Sequence, residues 1–66
     1  MDIQLNGAAR QFPAPLTVAA LLAAEGLAER RVAVEVNGQI VPRSQHGQWL
    51  VQEGDAVEIV HALGGG

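Results

Sequence analysis

Two Asn-Gly dipeptides, Asn6-Gly7 and Asn37-Gly38, constrain this chain more than any other feature. Each lies between short segments in which polar and apolar residues alternate. Asn-Gly between such segments is the strongest short-range signal for a two-residue β-hairpin, because both residues tolerate the positive φ that a tight type I′ turn needs. Asp2-Ile3-Gln4-Leu5 alternates before the first pair, and Ala8 to Phe12 returns after it, ended by Pro13 and Pro15. Val32-Ala33-Val34-Glu35-Val36 alternates before the second pair, and Gln39-Ile40-Val41 returns after it, ended by Pro42. Proline cannot donate to a sheet ladder, so it closes a strand.

One segment between the hairpins has a helical period instead. Val18, Leu21 and Leu22 stand at i, i+3 and i+4, which gathers them on one face. Thr17 suits the N-cap and Gly26 the C-terminal stop, with Leu27 folding back on the helix end. After Pro42 the chain reads as a loop or single helical turn over Arg43 to Gly47. A short apolar run, Trp49-Leu50-Val51, and a turn at Glu53-Gly54-Asp55 follow. Ala56 to Val60 is the last strand, with Val57 and Ile59 facing one way and Val60 the other. A helix with one apolar face, beside strands with one apolar face, predicts an α+β domain with the helix packed on one face of a mixed sheet. The order, ββαββ with a small strand or turn region before the last strand, is that of the β-grasp, or ubiquitin-like, fold. A domain over 1–61 and a flexible tail over 62–66 are expected.

Composition narrows the chemistry. A chain of 66 residues is one domain. There is no cysteine, so disulfides, thiolate metal sites and thiol catalysis are excluded. Two histidines, His46 and His61, have no paired spacing, and no metal site is expected. No nucleophile–base set or phosphate loop is present, so the chain is not expected to be an enzyme. Net charge is −3 without a basic cluster, which argues against nucleic acid as partner. The first residues lack a basic start and a long apolar run, so no signal peptide is expected. No stretch approaches the ~20 apolar residues of a membrane helix. A cytoplasmic protein with no membrane contact is the expectation.

The last three residues, Gly64-Gly65-Gly66, carry the candidate chemistry. Five residues beyond His61 reach about 17 Å when extended, at ~3.4 Å each. Without side chains they can enter a narrow channel and deliver a carboxylate to another protein's active site. A glycine run also suits a plain frayed end. Val60, His61 and Leu63 are candidates for a partner surface, although a solvated strand-end histidine explains His61 as well. Glu53, Asp55 and Glu58 fit turn and outward-strand roles, and Trp49 fits the core.

The segments Asp55 to Gly66 and Val36 to Arg43, together with the first hairpin and the helix start Leu16 to Leu22, resemble the ThiS family of thiamine-biosynthesis sulfur carriers. The resemblance covers essentially the whole chain. It implies that an E1-like adenylyltransferase uses Mg-ATP to adenylate the Gly66 carboxylate. It also implies that a persulfide sulfur donor converts the adenylate to a thiocarboxylate, and that thiazole synthase takes the sulfur. On that reading Gly66 is modified, Gly65 completes the diglycine end, and Gly64 lengthens the tail. No cofactor is expected on the carrier itself. The small subunit of molybdopterin synthase and a ubiquitin-like protein modifier are alternatives with a similar tail. A plain interaction module is a third.

Overall fold

The computed structural model describes residues 1–61, and the expectations for Leu63, Gly64, Gly65 and Gly66 lie outside the described residues. Both Asn-Gly pairs form the expected turns. Asn6 and Gly7 have φ of 51° and 82°, and Asn37 and Gly38 have φ of 53° and 83°. They join β1 (Asp2–Leu5) to β2 (Ala8–Gln11), and β4 (Val32–Val36) to β5 (Gln39–Val41). The last strand, β7 (Ala56–His61), enters between the hairpins and gives the order β2-β1-β7-β4-β5. β1 and β7 are parallel and the other pairs antiparallel, so the sheet is mixed as expected.

The helix α1 (Val18–Ala24) has the predicted start and stop. The Ala20 N–H donates to Thr17 Oγ1 at 3.0 Å. Sequence periodicity did not show how the other early donors are met. The Val18 N–H donates to the Trp49 carbonyl (2.9 Å) and the Ala19 N–H to the His46 carbonyl (2.7 Å). Helix ends leave such donors without intrahelical partners, so these contacts tie the helix to the loop around residues 46–49. At the other end Gly26 has φ of 74°. The Leu27 N–H reaches back to the Leu22 carbonyl (2.7 Å) and the Gly26 N–H to the Ala23 carbonyl (3.1 Å), a Schellman closure.

The five-element order needs a refinement. Leu16–Thr17 is a strand, β3, and Leu50–Val51 is another, β6, and they pair antiparallel in a separate two-stranded sheet. Strands of two residues have no alternation to read. Arg43–Gln45 forms a single 3-10 turn. Trp49 is half-buried and packs against the core from its edge rather than within it.

The core lies between α1 and one face of the sheet. Val18, Leu21 and Leu22 from the helix meet Ile3, Leu5, Val34, Val36, Val57 and Ile59 from the sheet. No polar or charged residue is buried among the described residues. Phe12, Leu16, Val41 and Val51 complete this core, and a domain near this size buries only about 60% of its unfolded surface. The opposite sheet face has no covering layer, and Ile40 and Val60 on it are 65% and 58% exposed.

Candidate functional site

The candidate site is the end of β7 and the residues that follow it. β7 is the central strand, so residues 62–66 follow in sequence on the strand paired along both edges of the sheet. The two hairpin asparagines hold this strand with their side chains. Asn6 Oδ1 accepts from the Ile59 N–H (2.8 Å), and Asn37 Oδ1 accepts from the Ala56 N–H (2.9 Å). The backbone N–H groups of the same two residues donate to Val57 and Ala56 carbonyls at 2.9 and 2.8 Å. Asn37 Nδ2 also donates to Asp55 Oδ1 (2.9 Å), while Asp55 Oδ2 accepts from the Gln52 N–H (2.8 Å). Glu53 Oε1 accepts from the Asp2 N–H at 3.1 Å. Asp55 and Glu53 are thus engaged in building the turn before β7.

Val60 and His61 are both exposed, but strand alternation sets them on opposite faces. Val60 stands on the uncovered face, opposite Ala33. His61 follows the parity of Val57 and Ile59, beyond the end of the core, opposite Val32. The structure therefore does not join these two candidates into one patch. It adds Ile40, which alternation places outward because Val41 is buried. Glu35 lies between Ile40 and Glu58 in register, so two like charges face each other across β4 and β7 beside the apolar residues.

The histidines stay apart in role. His46 Nε2 lies 3.3 Å from the Val41 carbonyl. Among the described residues no group of three or more potential ligands is placed to hold a metal ion. An ion pair between Arg10 and Glu25, at 2.7 Å, joins β2 to the helix end. The hydrogen bonds from Arg10, helped by its charge, hold the Glu25 carboxyl below its ordinary range. An open groove of about 550 Å³ lined by Met1, Pro15, Leu50 and Glu53 lies beside the start of β7, at the opposite end from His61. No described helix is long and apolar enough to cross a membrane.

A helix on one face of a five-stranded mixed sheet, with a glycine-ended segment leaving the central strand, defines a ubiquitin-like β-grasp protein. The family model for the ThiS family matches residues 3–66. The chain is 38% identical over 66 residues to the sulfur carrier protein ThiS of Escherichia coli, covering all of both chains. The crystal structure of thiamine biosynthesis protein ThiS from Geobacter metallireducens superposes with a TM-score of 0.85 at 35% identity, again covering all of both chains. A thiazole synthase of Paramagnetospirillum magneticum is 48% identical over 66 residues, all of this chain and 20% of that one. The chain spans about a fifth of the length of the two thiazole synthases it matches. The chain belongs to the ThiS family.

Proposed function

We propose that this protein is the sulfur carrier of thiazole formation in thiamine biosynthesis, a protein co-substrate rather than an enzyme. The observation that supports it most is the end-to-end match to a ThiS sulfur carrier of equal span, in a chain whose sequence runs to Gly64-Gly65-Gly66 shortly after the central strand. The division into a domain over 1–61 and a tail over 62–66 is part of this reading.

The chemistry follows from what a glycine carboxylate lacks. Its charge repels nucleophiles, and it has no leaving group. An E1-like adenylyltransferase directs the Gly66 carboxylate oxygen onto the α-phosphorus of Mg-ATP, and pyrophosphate leaves. The terminal sulfur of a persulfide donor then attacks the acyl carbon, and AMP leaves. A second thiol cleaves the resulting S–S bond, taking the donor sulfur into a disulfide and freeing the thiocarboxylate. Thiazole synthase receives that sulfur. ATP and magnesium belong to the partner's reaction, and the carrier binds no cofactor of its own. The setting is the cytoplasm. Each step needs access to the tail and a defined direction of approach. The clamped β7 supplies the second.

The absence of cysteine and lysine suits the role. Sulfur can reside only on the terminus, and no ε-amine of a neighbouring carrier can consume the activated glycine. The test is ATP–pyrophosphate exchange by the adenylating partner. Exchange should depend on this chain and vanish when Gly66 is removed. Exchange that persists after loss of Gly65 and Gly66 would overturn the reading and favour a plain interaction module.

A further inference from the structure

β7 is paired unequally along its two edges. Toward β4 the pairing reaches its last residue, with Val32 opposite His61. Toward β1 it stops with Leu5 opposite Val57. Asn6 extends that edge by one step, through the bond from the Ile59 N–H to its Oδ1. The chain has by then turned through Asn6-Gly7 into β2 and left the edge.

Strand alternation decides which groups remain there. Ala56 exchanges backbone and side-chain bonds with Asn37, so residues of even number direct their N–H and C=O toward β4. Val57 and Ile59 direct theirs toward β1, and His61 follows the same parity. Among the described residues, neither the Ile59 carbonyl nor the His61 N–H has a backbone partner. An acceptor and a donor therefore stand open on the central strand, immediately before the tail. Extended backbone presents the matching donor and acceptor at strand spacing, which is the chemistry of strand addition.

We propose that a short extended segment of thiazole synthase pairs with this edge, donating to the Ile59 carbonyl and accepting from the His61 N–H. The inference rests on the sulfur-carrier reading and adds the mode of docking. Thiazole synthase is the chosen occupant because two such enzymes carry a region 48% and 42% identical to this whole chain within their own. Joined in one chain, the two parts meet at high effective concentration, where a few backbone hydrogen bonds suffice. The pairing continues β7 across the interface and fixes the base from which residues 62–66 extend.

Amide hydrogen exchange on the full chain tests this, alone and saturated with thiazole synthase. In the free chain the His61 amide should exchange rapidly and the Val60 amide, directed at β4, slowly. Binding should slow His61 at least tenfold. A second measurement separates backbone from imidazole. The His61 N–H takes no part in the β4 ladder, so His61→Pro removes the open-edge donor without breaking a bond to β4, and His61→Ala controls for loss of the imidazole. It should weaken binding at least tenfold more than His61→Ala. Unchanged exchange at His61 in a saturated complex, slowing only with the adenylating partner, or equal losses in the two variants would each overturn the proposal. Absence of any complex in titration would overturn the partner assignment itself, which distinguishes that failure from a wrong docking mode.

Discussion

The Asn6 Oδ1 accepts a hydrogen bond from the Ile59 backbone N–H at 2.8 Å, across 53 positions of sequence. One residue thus makes the first hairpin turn and extends the paired edge of the central strand by one step. Asn6→Ala should lose both roles, since alanine resists the φ of 51° and offers no acceptor. A partly buried N–H left unsatisfied costs about 1–3 kcal/mol. Asn6→Gly should restore the backbone freedom but not the bond. Urea denaturation of the two variants separates these effects, and the Ile59 amide should exchange faster in both.

Glu35 and Glu58 face each other across β4 and β7 on the uncovered sheet face. Like charges directly opposite are unfavourable, by an amount within the ~0.2–1 kcal/mol range of cross-strand pairs. Glu35→Gln should therefore raise the thermal midpoint. The gain should shrink as salt is added, because both groups are exposed and screened. A midpoint that falls, or a gain indifferent to salt, would contradict this.

Acid should weaken the fold in part through Glu25. Its carboxyl is held low by the Arg10 hydrogen bonds, desolvation opposing. A group with a depressed folded pKa contributes its stability above its unfolded value, about 4.3 for glutamate, and loses it as pH falls through the folded value. Denaturation midpoints measured from about pH 6 down to about pH 3 should fall more steeply for the parent than for Glu25→Gln. Both groups lie at the surface, so the difference should be small and reduced by salt.

Core and surface valines and leucines should separate cleanly. Leu21 is 0% exposed, and Leu21→Ala should cost about 2–5 kcal/mol, enough to unfold much of so small a domain. Val60 is 58% exposed, and Val60→Ala should leave the thermal midpoint nearly unchanged while weakening binding to a carrier partner. Calorimetry of folding and of binding on the same samples checks both.

The features that were legible in the sequence are those with local physical causes. Asn6-Gly7 and Asn37-Gly38 announce turns because so few residues accept their backbone angles. Thr17 and Gly26 announce helix ends because their roles need only neighbours a few residues away. The pairing of Leu16–Thr17 with Leu50–Val51 was not legible, since two residues hold no period. Nor were the bonds from Val18 and Ala19 to carbonyls near Trp49 and His46, which depend on chain closure over some 30 positions. At the site, the glycine tail is a motif visible by inspection. The opposed faces of Val60 and His61 follow from alternation. The open edge beside His61 does not, because it exists only where the pairing with β1 stops at Val57 while the pairing with β4 runs on to His61.

The central claim is that sulfur is carried on the C-terminus, and the absence of cysteine makes it directly measurable. The chain should be isolated after co-expression with its adenylating partner and sulfur source, treated with a thiol-selective alkylating reagent, and weighed intact. Mapping is needed as well as mass, because oxidation of Met1 or Trp49 nearly equals the exchange of oxygen for sulfur. The account predicts a single adduct, located in the C-terminal peptide and lost when Gly66 is deleted. No adduct, with the adenylating enzyme shown active on a known carrier, would contradict it.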